Sequence, residues 1–123
     1  MDIQPVFVTL EQAKILKEKG FNELCTGTYE GNVFSIEKAW RNSEDPTEYA
    51  VPEQWMLCEW LRLNYNLWIV VSNCNVPEIG KWCFDIHRLP SSVAYLWNDK
   101  EATFNSPQDT YSAAFDYVLN TLI

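Results

Sequence analysis

The sequence predicts an α+β fold, an antiparallel sheet of about five strands with three helices packed mainly on one face. Three observations carry this expectation. Segments near both ends place apolar residues at helical spacing behind capping residues, and the block 52–89 changes from a helical period to a strand-like apolar run. Several short β-favouring pieces follow one another with turn residues between them.

The first helix is expected over 10–19. Thr9 and Gln12 have the spacing of a capping box, Gly20 can take the left-handed conformation that closes the helix, and Lys14, Lys17 and Lys19 lie toward the negative end of its dipole. Ala13 and Leu16 face the core, and Phe21 folds back after the glycine. Pieces 26–29 and 33–36, separated by Glu30, Gly31 and Asn32, read as a hairpin. The stretch 42–50 is polar, acidic and broken by Pro46, which predicts an exposed loop.

Pro52 suits the first turn of the second helix, since its missing amide has no partner there. At 100° per residue Met56, Leu57, Trp60, Leu61 and Leu63 share one face, while Glu59 and Arg62 fall on the other. Trp55 projects on the polar side. Two explanations stand: cover from the hairpin or a loop, or an exposed anchor for a partner. The strand 67–72 is continuously apolar, which predicts cover on both faces. A second strand, 81–89, alternates Trp82, Phe84 and Ile86 with Cys83, Asp85 and His87, and a third covers 93–97. Ser106 caps the last helix with Pro107 in its first position; Tyr111, Ala114, Phe115, Val118 and Leu122 form its apolar stripe.

The 123 residues are one ordinary domain's length, so a single domain over 1–123 is expected. A hydrophobic share of 47% and an aromatic share of 15% supply the apolar surface that a disordered chain lacks. No basic segment followed by an apolar run opens the chain, and its longest apolar run falls far short of the roughly twenty residues that span a bilayer. A cytoplasmic protein without a membrane segment is expected. The cysteines at 25, 58, 74 and 83 form no close pair, and with a single histidine this leaves no metal site and no cofactor expected.

The net charge of −8 repels phosphate and disfavours direct nucleic-acid binding. Catalysis could reside in Cys83, Asp85 and His87 on one strand face, giving a small hydrolase built on Cys83 or His87. Geometry opposes it, because Cys83 and His87 would stand roughly 13 Å apart along an extended strand; a partner such as Cys74 or Glu78 would have to come from the preceding loop. Six Trp, six Tyr and six Phe exceed what one small core covers, so aromatics such as Trp55, Trp68 and Trp97 reach the surface. Trp55, Glu59, Arg62 and Trp97 are the candidate binding residues, and a protein partner fits an aromatic and acidic surface best. The alternative is a small-ligand, nucleotide-like binder with a cation such as Arg62, Arg88 or Lys81 converging on an aromatic pocket.

Segments 7–23, 52–71 and 106–123 resemble a numerous family of short uncharacterised proteins of gut Bacteroidales and their phages. A capped opening helix ending in Lys19-Gly20-Phe21, a Trp60-Leu61-Arg62 helix leading into an apolar strand and an alanine-containing closing helix carry the resemblance. It implies a phage or mobile-element accessory protein that binds a host component.

Overall fold

The computed structural model describes residues 4–73, 81–89, 94–96 and 103–123. Trp97, Cys74, Glu78, the loop 74–80 and the turn at 90–93 lie outside the described residues. The α+β class holds: helices α1 (Leu10–Glu18), α2 (Gln54–Tyr65) and α3 (Pro107–Tyr117) combine with strands β1 (Cys25–Glu30), β2 (Val33–Trp40), β3 (Glu48–Val51), β4 (Leu67–Asn73), β5 (Trp82–Arg88) and β6 (Ala94–Leu96). The strands do not form one sheet of about five. Among the described residues they form two antiparallel three-stranded sheets, ordered β2-β1-β3 and β4-β5-β6. The chain divides into two compact units, Met1–Met56 and Leu57–Ile123, with the boundary inside α2.

In the first unit α1 begins as the capping box predicts, Thr9 accepting from the Gln12 amide at 3.2 Å while Gln12 Oε1 accepts from the Thr9 amide at 2.9 Å. Gly20, at φ +88°, closes it, and the Phe21 amide donates back to the Leu16 carbonyl. Phe21, Ala13 and Leu16 are buried. The two-residue Gly31-Asn32 turn joins β1 to β2, and β1 pairs on its other edge with β3. Residues 42–50 are therefore an exposed loop only in part, Ser43, Glu44, Pro46 and Thr47 being exposed. A short 3-10 turn, Asn42–Glu44, leads into β3, and Asn42 and Ala50 are buried. The pairing that makes 48–51 a strand is with distant β1, so nothing in its own polar, Pro-containing neighbourhood announces it.

Asn42 fixes this corner, its Nδ2 donating to the Phe21 carbonyl and its Oδ1 accepting from the Ala50 amide, each at 2.8 Å. Lys17 adds a second tie: its ammonium donates to the carbonyls of Asp45, Pro46 and Glu48 and lies 5.1 Å from the Tyr49 ring centre. The N-terminal segment closes the unit, with the Val8 amide donating to the Pro52 carbonyl and the Gln54 amide to the Val6 carbonyl. That backbone pairing holds Pro52 and Glu53 extended, so α2 starts at Gln54 and not at Pro52. Gly27 is required by packing, because a Cβ there would lie 2.7 Å from the Val51 carbonyl oxygen and 2.9 Å from the Phe7 ring.

In the second unit the buried face of α2 carries Leu57, Trp60 and Leu61, but Leu63 is 68% exposed. Met56 and Leu63 sit at the margin of the helical stripe, where cover depends on neighbours and not on period. Asn66, at φ +57°, ends α2 and turns the chain into β4, a conformation that Asn tolerates better than most residues. Strand β5 pairs with β4 over seven consecutive positions, and α3 packs on both strands. Ser106 caps α3 by accepting from the Asp109 amide. A π-helical turn, Val118–Leu122, follows, and Leu119 rather than Leu122 is buried beside Val118. The wider turn rotates the later side chains away from the 3.6-residue register. No helix among the described residues is long and apolar enough to cross a membrane.

Candidate functional site

The second sheet has one buried and one wet face. On the inner side Leu67 and Ile86 are fully buried, and the pairs Ile69–Ile86 and Val71–Phe84 share that face. The outer side begins with Trp68 and Val70, which are 41% and 45% exposed, and continues to Ser72. Cover on both faces of β4, as its apolar run predicts, is thus corrected: the run reads the same whether one face or two are buried. The alternation of β5 is as predicted, and the register sets His87 opposite Trp68, Asp85 opposite Val70, and Cys83 opposite Ser72.

Helix α2 adds a charged element to this face. Arg62 Nε and Nη2 donate to the two carboxylate oxygens of Glu59 at 3.1 and 2.7 Å, a forked pairing that holds the guanidinium flat. Its carbon stands 5.3 Å from the centre of the Trp68 ring, within cation–π range. The hydrogen bonds from Arg62 hold the Glu59 carboxyl below its ordinary range, and Glu59 raises Arg62 in return. Both partners therefore stay charged at neutral pH.

Two of the four sequence-predicted binding residues, Glu59 and Arg62, are thus in direct contact, and Trp68 joins them. Trp55 is 61% exposed and belongs to the first unit, which decides for exposure over cover. Trp97 lies outside the described residues. Sequence reasoning missed Val70, although the polar alternation of Cys83, Asp85 and His87 on the neighbouring strand already marked that face as wet.

The Cys83 sulfur has the Ser72 hydroxyl 3.9 Å away, a weak contact with a group that cannot serve as a base. Burial, then the charges of Glu23 and Glu53, pushes the Cys25 thiol up to about 12; burial, then Glu59, pushes Cys58 to about 11. Neither supplies a thiolate nucleophile at neutral pH. Among the described residues no group of three His, Cys, Asp or Glu side chains is arranged to hold a metal ion. The cations considered for a small ligand are dispersed: Arg62 lies over Trp68 on the outer face, Arg88 belongs to the inner-face set of β5, and Lys81 donates to Asn105 at 2.8 Å. Compared with protein-family models, curated proteins and solved structures, the chain matches none of them.

Proposed function

We propose that this chain is a non-enzymatic interaction protein that docks a protein partner on the outer face of its second sheet, in the phage or mobile-element accessory role that the sequence resemblance implies. The observation that carries the reading is Trp68, left 41% exposed with Arg62 stacked on it and Arg62 itself fixed by Glu59. Tryptophan and arginine dominate binding hot spots, because each covers much area and loses little conformational freedom when already held in place. Val70 extends the apolar centre, and Glu59 and Asp85 give it an acidic rim, so the matching partner surface is apolar in the middle and basic around the edge.

The test is affinity capture from a Bacteroidales lysate with mass spectrometry, followed by calorimetric titration of the purified partner. Wild-type protein is compared with Trp68→Ala, Arg62→Ala, Trp55→Ala and Leu63→Ala. Trp68→Ala and Arg62→Ala are expected to weaken binding tenfold or more, about 1.4–3 kcal/mol, while Leu63→Ala leaves it unchanged. A partner held equally by wild-type protein and by Trp68→Ala and Arg62→Ala removes this face from the function.

A further inference from the structure

We propose that β4 pairs edge to edge with β4 of a second copy of this chain, in antiparallel register about a two-fold axis at Val70. The proposal goes beyond the docking role above, since it uses the backbone edge of the sheet and not its outer face.

The order β4-β5-β6 leaves β4 at the edge of its sheet. Among the described residues no backbone hydrogen bond joins β4 to any segment beyond the β5 ladder and its own ends. Proteins blunt such edges with lysines, prolines, bulges or short strands, because unpaired amides and carbonyls template another strand. None of these devices is present. The strand runs seven residues, Leu67–Asn73, its ladder with β5 has no register shift, and its sequence holds no charge and no proline. The edge strand β2 of the other sheet differs in two respects, with Glu37 and Lys38 in its sequence and a register shift in its ladder with β1.

A second copy is the occupant that the pattern fits. An axis at Val70 pairs Leu67 with Asn73, Trp68 with Ser72, Ile69 with Val71, and Val70 with its own mate. The largest side chain thus meets one of the smallest, twice, and a β-branched pair sits at the centre, where cross-strand contact is favourable. β4 itself brings no charge to the junction. The two Asp85 residues, opposite Val70 on the neighbouring strands, are separated by three strand spacings, about 14 Å, beyond the screening length of about 8 Å at physiological salt. What opposes pairing is the charge of −8 carried by each copy, a long-range repulsion that salt removes.

Sedimentation velocity of the full chain from 1 to 300 µM, at 50 and 500 mM NaCl, tests this. The wild type is expected to shift with concentration from 14.4 kDa toward twice that mass, more readily at high salt. Val70→Lys and Val70→Glu are each expected to remain monomeric, and an equimolar mixture of the two to associate again, since opposite charges then meet at the axis. Val70 is 45% exposed, so both variants should keep the wild-type near-ultraviolet spectrum. Hydrogen exchange on the wild type needs no variant: β4 amides gain protection with concentration and β2 amides do not. A wild type that stays monomeric throughout, or a dimer that Val70→Lys leaves intact, overturns the proposal; a dimer whose mixed variants do not associate overturns the register. Because salt favours this pairing and weakens docking on an acidic rim, the two associations fail separately.

Discussion

Replacing Asn42 with alanine removes a side chain that satisfies two buried backbone groups at once. Asn42 is 8% exposed, and its partners, the Phe21 carbonyl and the Ala50 amide, belong to residues that are 1% and 0% exposed. Alanine removes both hydrogen bonds out of contact with water, at about 1–3 kcal/mol each, so the expected loss is about 2–6 kcal/mol. That is a large share of the roughly 5–15 kcal/mol that holds a domain together. At roughly 4 °C per kcal/mol for a chain of this size the melting temperature falls by about 8–24 °C.

Urea denaturation followed by tryptophan fluorescence measures this, with Thr47→Ala as the control. Thr47 also hydrogen-bonds in the same corner, to Asp45 at 2.7 and 2.8 Å, but in solvent, so its loss should change stability by less than about 0.5 kcal/mol. Asn42→Asp refines the test by keeping the acceptor for Ala50 and losing the donor to Phe21. Its buried carboxylate faces a carbonyl oxygen, so its proton is held more tightly folded than unfolded, and stability must rise as pH falls and the acid becomes a donor. If Asn42→Ala is no worse than Thr47→Ala, or Asn42→Asp loses stability on acidification relative to wild type, the accounting of this corner is wrong.

Lys17→Met should lower stability by about 1–3 kcal/mol and speed proteolysis within 45–48, since three carbonyls lose their common donor. Lys17→Arg should not restore it, because a planar fork cannot converge on three carbonyls as an ammonium does. Gly27→Ala should lower urea stability by about 1–3 kcal/mol, the new methyl meeting a backbone oxygen that cannot move without breaking the β1–β3 ladder. Cys25 and Cys58 should resist thiol reagents at pH 8 until denaturant is added, as peptide mapping of labelled protein would show. Their folded values of about 12 and 11 exceed the ordinary 9.0. The folded state therefore binds more protons above about pH 9, and stability should be intact below that pH and fall from there toward 12.

What the sequence made legible is what is local. Thr9, Gln12, Gly20 and Phe21 specify α1 within one stretch of chain, and Ser106 with Pro107 does the same for the start of α3. Strand β3 was not legible, because Glu48 and Tyr49 become strand only by pairing with Glu30 and Tyr29. Asn42 looked like a loop residue for the same reason: its two partners lie 21 positions upstream and 8 downstream. For the candidate site, Glu59 and Arg62 were readable from helical spacing, whereas the stacking of Arg62 on Trp68 follows from the turn at Asn66. The π turn after α3 has no signal in the sequence that we can name.

The exposed apolar residues of the second sheet cannot be ascribed to a shortage of core. Leu67 and Ile86, next to them on the same strands, are fully buried, so the sheet already spends one face on the interior. A second face with no such duty would ordinarily carry lysine, glutamate and threonine, as solubility favours. Instead β4 carries Trp68 and Val70 there, and the chain supplies Arg62, fixed by Glu59, to stack on the tryptophan. A stacked arginine on an exposed ring contributes only about 0.5–1 kcal/mol to the folded state, too little to account for the arrangement as a device of stability. Holding both side chains ready in one geometry lowers instead the ordering cost of an encounter. This preorganisation is the energetic basis of the docking role proposed above.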